Sequence, residues 1–425
     1  MTPSTNPQRM RIAVVGSGIS GISAAWYLSR RHDVVLIERD SRLGGHTNTI
    51  TLESGPDAGA RVDTGFIVLN DETYGNFKRF LEELEVPTRV STMSFSYWNK
   101  ATNFHYGGNT FNGLFSERRH LVSPRFWAFL SEVVRFNRAS VLALETGTLS
   151  GKTIQDFLSE NSFSNFLLSN YVMPLTAAVW STPPEKSLQF PAETLLRFFF
   201  NHGILRVVNR PTWRTVVGGS VSYVEAFLKR FKGEIRLNQK IRGIERGAQV
   251  VLHYEDRPKE EFDRVVIATH ADQALRLLSD PSEDEQRLLG AWKYTPNDAV
   301  LHSDSNVMPP HRRAWCSWNF HQLGKSASPH LSMTYHMNTL QGLKTKLDYF
   351  VTLNREDAYR AGTVIRELHY THPVYDFGSL ATQEHLPTLN GNRCTYFAGS
   401  YFGYGFHEDG IRSAVQVARA FGISP

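Results

Sequence analysis

Residues 16–21 read GSGISG, and no other six residues constrain the chain as much. They follow Arg11-Ile12-Ala13-Val14-Val15, a charge and then a short β-branched run of the kind a buried parallel strand carries. Ile22 to Leu28 then reads as a helix. Gly16, Gly18 and Gly21 therefore set G-x-G-x-x-G between a strand and a helix. The first glycine permits a tight turn, the second lets a pyrophosphate approach the backbone, and the third lets helix and strand pack closely. Ile19 and Ser20 open the helix. Its free N–H groups and positive dipole end suit phosphates.

Such a loop alone also arises by chance or in structural turns. The sequel narrows the choice. Val34-Val35-Leu36-Ile37 is a second short apolar run, and it ends in Glu38, 20 residues beyond Gly18. A carboxylate there can accept from both ribose hydroxyls of a dinucleotide. The alternative is a solvated strand end.

The next stretch separates nicotinamide from flavin dinucleotides. Past Arg39 the chain reads Arg42-Leu43-Gly44-Gly45-His46. A Gly pair lets the chain pass close beneath an extended dinucleotide, which a nicotinamide enzyme does not need. The pattern E-x-x-x-R-x-G-G resembles the superfamily of flavin monoamine oxidases, protoporphyrinogen oxidases and phytoene desaturases. The resemblance implies an α/β chain with a Rossmann-type FAD-binding domain and an interleaved α+β substrate domain. It implies bound, noncovalent FAD held by Gly16, Gly18, Ile19, Ser20, Gly21, Glu38, Arg39, Arg42, Gly44, Gly45 and His46. Val62-Asp63-Thr64-Gly65-Phe66-Ile67 is similar to the family's D-x-G element, which puts Gly65, Phe66 and Ile67 beside the flavin ring.

Later segments extend the likeness. Gly218-Gly219-Ser220 before Val224-Glu225-Ala226-Phe227-Leu228 resembles the family's G-G-x-x-x-L helix, and Ile241 is implied to lend its backbone to the adenine. Ala268 and Thr269 match a turn near the dinucleotide, or simply end a strand. Thr395 to Gly399 reads as a strand, followed by Ser400 and by a helix starting at Gly410-Ile411. In the family that helix points its N-terminus at flavin N1 and the C2 carbonyl, where reduced flavin carries negative charge. Two positions depart from the family: His46 stands where Arg is usual, and Ser400 where an acid is usual. The likeness is specific over 11–68 and 394–418 and looser over 214–275, under half of the chain.

At 425 residues the chain is too long for one simple core, so two domains are expected. The motifs assign 9–75, 210–275 and 386–425 to the FAD domain, and 76–209 and 276–385 to the substrate domain. Charged residues make up 20% and hydrophobic ones 41%, which fits a globular enzyme. The formal charge of +5 is too small to imply nucleic acid, but leaves contact with anionic membrane surfaces open. Cys316 and Cys394 are the only cysteines, so no disulfide framework is visible. Neither suggests covalent flavin attachment, and no metal-ligand spacing is present. The polar lead-in MTPSTNPQRM and the lack of a ~20-residue apolar run read as a cytoplasmic chain, soluble or peripheral to the inner membrane face.

The substrate segments are rich in Phe, Leu and Trp. Residues 71–85 read as a helix and 91–115 as strands and turns. Over 123–144, Phe126, Phe129, Leu130, Val133, Val134 and Phe136 recur at helical spacing, with Arg118, Arg119, Arg125, Arg135 and Arg138 around them. This stripe either faces a core or lies on a membrane. Residues 153–200 read as mostly helical, broken at Pro174 and Pro183-Pro184. Leu195 to Phe200 is either core or one wall of an apolar tunnel.

The expected chemistry is hydride transfer to flavin N5, with the protein supplying orientation and electrostatics. Amine oxidases of the superfamily enclose the amine with an aromatic pair and often set a Lys near N5. Here Tyr370 and Tyr375 stand in a different context, and Lys293 is the nearest candidate Lys. The chain also looks like a bacterial group of FAD-binding, amine-oxidase-like proteins commonly encoded beside cyclopropane-fatty-acid synthases. More distantly it resembles flavin-dependent fatty-acid double-bond isomerases. These likenesses imply a hydrophobic small molecule or acyl lipid as substrate and a desaturase as the leading expectation. A double-bond isomerase and an amine oxidase are the alternatives, and a flavin carrier without turnover a third. His407, just before the closing helix, is the candidate base; its alternative is a helix-start residue without a chemical role.

Overall fold

The computed structural model describes residues 9–425 except 109, 181–187, 207–208, 324–329 and 356. Pro183 and Pro184 thus lie outside the described residues.

The apolar runs of the sequence assemble into one parallel sheet. Its strands lie in the order Glu234–Arg236, Asp33–Ile37, Arg11–Val15, Arg264–Ile267 and Thr395–Phe397. Ile12, Val14, Leu36 and Val265 are all fully or almost fully buried, as expected for strands covered on both faces. The helix Ile19–Leu28 packs against the closing helix His407–Ala420 on one side of this sheet. All five strands come from 9–75, 210–275 and 386–425.

A second sheet has seven strands. The order is Val364–Pro373, Tyr294–His302, Phe350–Leu353, His330–His336, Trp318–Leu323, Phe95–Asn99 and Phe104–Gly107. Neighbours are antiparallel except Trp318–Leu323 against Phe95–Asn99, which is parallel. A small sheet of Val68–Asn70, Trp213–Val216 and Thr88–Val90 stitches the two parts together.

The stripe of the long helix Pro124–Thr146 faces the core. Phe126, Phe129 and Phe136 are buried among other aromatic rings. Ser123 caps its start and Gly147, at φ 68°, ends it in the left-handed region. The same helix leaves Trp127, Val134 and Leu142 exposed on its outer side, so Val134 falls off the core stripe.

Pro174 does not break its helix. The chain runs helical from Asn165 through a π-turn at Leu168–Val172 into Met173–Trp180. Proline cannot bond the carbonyl four residues back and crowds it. A π-turn absorbs that defect, and the carbonyl of Asn170 accepts instead from the Tyr106 hydroxyl at 2.8 Å. Leu195, Leu196 and Phe199 are core, while Phe198 of the same helix faces a cavity, so both readings of that run hold in part. Among the described residues no helix is long and apolar enough to cross a membrane.

Candidate active site

One cavity of about 1590 Å³ runs from the ends of the parallel strands into the space over the second sheet. A typical small-ligand site holds roughly 300–1,000 Å³, so this one has room for a dinucleotide and a second molecule.

The cofactor end is built by backbone geometry. Gly16 has φ +97°, and a Cβ there would lie 2.7 Å from the Ala268 carbonyl oxygen. A Cβ on Gly21 would lie 1.8 Å from the Gly16 carbonyl oxygen. That distance is impossible, so Gly21 fixes the helix against the strand. Gly18 differs: a Cβ there would meet nothing within 4 Å. It faces open space at the start of a helix that has no side-chain cap. That combination is a cradle for an anion. Gly45, at φ +56°, crosses directly over it, 3.2 Å from its virtual Cβ to the Gly18 Cα. Glu38 directly follows the strand Asp33–Ile37, its Oε2 accepting from the Ser17 N–H and hydroxyl at 2.8 and 2.6 Å, which fixes the carboxylate at the cavity.

Gly16, Gly18, Ile19, Ser20, Glu38, Arg39, Arg42, Gly44, Gly45, His46, Gly65, Phe66, Ile67, Ile241, Ala268, Gly399 and Ser400 all line this cavity. Gly21, Gly410 and Ile411 do not. Gly21 does the packing described above. The closing helix starts at His407, three residues earlier than the sequence suggests. This puts Gly410 a turn deeper, where its missing Cβ admits Ile19 and Ser20 of the first helix, and Ile411 is fully buried in the core. The helix presents only Phe406 and His407 to the cavity. Its first turn carries Asp409, whose Oδ2 accepts from the N–H groups of Tyr404 and Phe406, each at 3.0 Å. An acid there offsets the positive helix end that the resemblance assigned to the flavin.

Asp63 of the D-x-G element does not line the cavity. It is fully buried, accepts from the Ser220 N–H and hydroxyl and from Gln341, and is pushed up to about 6 by burial. It ties the Gly218-Gly219-Ser220 turn to the element that carries Gly65 and Phe66. His407 is likewise enclosed. Its ring stacks on Phe66 at 3.6 Å, Nε2 lies 3.0 Å from the Thr47 hydroxyl, and burial lowers its pKa to about 3. With its ring face and its Nε2 already engaged by protein groups, it is placed to pack the site rather than to take a proton from a substrate.

Other histidines meet at the cavity. The rings of His270 and His372 lie 5.7 and 5.6 Å from His46, and Tyr370 lies 5.2 Å from it. Burial holds all three histidines below the ordinary range, His372 at about 4. His46 Nε2 is enclosed with no protein partner, an orphaned polar atom of the kind a ligand satisfies. His202 lines the cavity beside Phe198 and Phe406. Its Nδ1–H donates to the Phe198 carbonyl at 2.9 Å, so Nε2 is the ring's acceptor. Sequence reasoning missed His202 and His372, which carry no local motif. His270 had a signal, since it follows the Ala268-Thr269 turn.

The amine-type features are arranged otherwise. Tyr370 lines the cavity, but its hydroxyl is engaged by Asn48 and Thr64, each at 3.0 Å. Tyr375 donates to the Gly403 carbonyl and does not reach the cavity, and Lys293 is exposed outside it. Cys316 and Cys394 do not line the cavity either.

A Rossmann-type sheet, a glycine-lined loop at its strand ends and a large second chamber are the marks of a flavin-dependent oxidoreductase fold with a substrate domain. Residues 19–315 match the family of flavin-containing amine oxidoreductases, and the chain belongs to that family. No curated protein matches it. Among solved structures it is similar to a CLA-producing fatty acid isomerase from P. acnes, with TM-score 0.66, 15% identity, and 99% and 100% of the two chains covered. It is similar to a cyclohexylamine oxidase from Brevibacterium oxydans IH-35A, with TM-score 0.69, 15% identity, and 97% and 98% covered. A putative protoporphyrinogen oxidase from Exiguobacterium sp. 255-15 gives TM-score 0.66, 14% identity, and 97% and 99% covered. At these identities the likeness concerns the fold, and one fold here serves three differently named activities. The chain is a flavin-dependent enzyme.

Proposed function

We propose that this enzyme carries noncovalent FAD and oxidises an unsaturated or modified fatty-acyl chain, as a desaturase. The fit for FAD rests on the open Gly18 cradle, the Gly45 crossing, Glu38 at ribose distance along the chain, and the absence of both cysteines from the cavity. The flavin, when bound, supplies a hydride acceptor at N5.

One observation carries the substrate class. Among the described cavity residues contributed by 76–209 and 276–385, the single carboxylate is Asp298, and there is no lysine. Asp298 is exposed and sits 2.6 Å from His369, so it is not an enclosed counter-charge for an ammonium group. The walls are instead Met93, Phe95, Leu175, Phe198, Ile204, Trp318 and Leu353. Burying an alkyl chain against such walls is favourable by ~0.8 kcal/mol per CH₂, while burying an unpaired cation costs several kcal/mol.

Within that chamber the chain's own residues exclude water and orient the acyl chain. Loss of a hydride from one carbon and a proton from its neighbour leaves a double bond. His202 is the acceptor we assign to the proton, because its neutral Nε2 is free and its tautomer is fixed by Phe198. The outer surface supports access from lipid. Phe111, Val122 and Trp127 are exposed at 68%, 82% and 49%, in one stretch with the exposed Arg118, Arg119 and Arg125. Apolar and cationic groups together suit the anionic cytoplasmic face of a membrane.

The test is extraction and mass spectrometry of lipids retained by the native protein. Acyl chains should accompany the wild type and be depleted in Leu353→Asp, with flavin content unchanged. A wild type free of acyl chains, or equal retention in the variant, contradicts the reading.

A further inference from the structure

Among the described residues, His105, Glu117 and His311 form the one group of three potential metal ligands whose donor atoms all lie within 4.8 Å of one another. They come from distant parts of the chain, so no ligand spacing announces them in the sequence. We propose that these three side chains bind one zinc ion as a structural clamp on the outer side of the cavity wall.

His105 is the best-defined member. It is fully buried, and its Nδ1–H donates to the Asn103 carbonyl at 3.1 Å. That bond fixes the tautomer and leaves the Nε2 lone pair free. Nε2 is enclosed and has no partner in the protein. A buried acceptor without a donor costs free energy unless something satisfies it. His311 faces it, with ring centroids 5.4 Å apart.

The scaffold is tied together independently of any ion. The Arg313 guanidinium donates to the Ser116 carbonyl at 2.9 and 2.7 Å, which locks the His311 segment to the Glu117 segment. Gly107 packs so closely on the same segment that a Cβ there would lie 2.9 Å from the Ala314 carbonyl oxygen. All three ligand-bearing segments are thus held in place by contacts that do not involve the ligand side chains. Two imidazoles and a carboxylate are the three protein ligands of a common tetrahedral zinc set whose fourth position water fills, with Zn–ligand distances near 2.0–2.2 Å and donor atoms roughly 3.4 Å apart. Side-chain movement on the order of 1 Å closes the present cluster to that size. Arg119 pairs with Glu117 only at 3.8 Å and is itself 63% exposed, so it can give way.

Strand alternation says what the ion is for. Tyr106 and His105 are consecutive in Phe104–Gly107, so their side chains point to opposite faces. Tyr106 lines the flavin cavity, and none of the three ligands does. The ion therefore braces the wall from behind and anchors the stretch that carries Phe111 and Val122.

The test is metal analysis of the untagged holoenzyme after chelation and equilibrium dialysis against Zn²⁺. About one zinc per chain should bind and raise the unfolding temperature. His311→Ala and Glu117→Gln should each weaken zinc affinity at least ~10-fold while flavin content stays unchanged. His46→Ala, which alters the histidine group inside the cavity, should leave zinc binding intact. Absence of stoichiometric zinc overturns the proposal, as does wild-type affinity in both ligand variants or loss of zinc only in His46→Ala.

Discussion

The two ends of the cavity are made by different means. At the cofactor end the backbone itself is the binding surface, and sterics leave one residue type at Gly16, Gly21 and Gly65. A Cβ at Gly65, for example, would lie 2.0 Å from the His46 carbonyl oxygen. At the substrate end the surface is side chains, gathered from Phe95–Asn99, Ala192–Asn201, Trp318–Leu323 and Phe350–Leu353. Backbone surfaces tolerate no substitution but leave a motif. Side-chain surfaces can be repainted for a new substrate and leave none. This difference explains how neighbours of one fold carry the names of an isomerase, an amine oxidase and a protoporphyrinogen oxidase.

The sharpest way to break the comparison is at the glycines. Gly21→Ala forces helix and strand apart and should lower flavin affinity more than ~100-fold, with destabilisation of ~1–3 kcal/mol. Gly18→Ala clashes with nothing in the protein. It should leave the unfolding temperature of the flavin-free chain unchanged while weakening FAD ~10–100-fold, because its methyl takes the phosphate's space. Flavin titration and calorimetry read both. Equal effects of the two would mean that Gly18 is a structural glycine like Gly21.

At the substrate end, His202→Gln should reduce the rate of flavin reduction by ~100-fold at unchanged flavin content. His407→Gln should chiefly lower stability, since it disturbs the stack on Phe66 and the contact with Thr47. Stopped-flow reduction and thermal unfolding together separate these roles; a reversed pattern would restore His407 as the base.

Acid should destabilise the fold through its buried histidines. Burial lowers His202, His302 and His372 to about 4, and His321 and His407 to about 3. Between pH ~6.5 and those values the unfolded chain binds protons that the folded chain does not, so stability falls as pH drops. Asp63 and Asp409, raised to about 6, act in the opposite sense across ~4 to 6, because the folded chain holds their protons first. Five histidines outweigh two carboxylates. Thermal unfolding should show a loss on the order of a few kcal/mol between pH ~7 and ~5; stability that rises over this range contradicts the assignment of neutral buried histidines.

The smallest effect is at the surface. Val122→Ser should change stability by no more than ~0.5 kcal/mol yet reduce cosedimentation with anionic phospholipid vesicles. Unaltered vesicle binding would remove the membrane contact from the account.

The cofactor half was largely legible because phosphate binding demands local spacing: Gly18, Glu38 and Gly45 fall where the motifs put them. The failures there are instructive. Gly410 and Ile411 lie behind the cavity wall because the helix begins at His407, with Glu408 and Asp409 in its first turn, and not at the glycine. Asp63 belongs to the motif but serves it from outside the cavity. The substrate half was legible only as composition. Tyr106, His202 and His372 meet through long-range pairings such as Trp318–Leu323 with Phe95–Asn99, which no local pattern encodes. The same holds for His105, Glu117 and His311.

The measurement that bears most directly on the acyl-chain reading is the anaerobic flavin spectrum during addition of bacterial phospholipids, and separately of a panel of amines. Lipid should bleach the flavin, amines should leave it oxidised, and the product should gain a double bond. Bleaching by amines alone, with lipid inert, would contradict the acyl-chain reading.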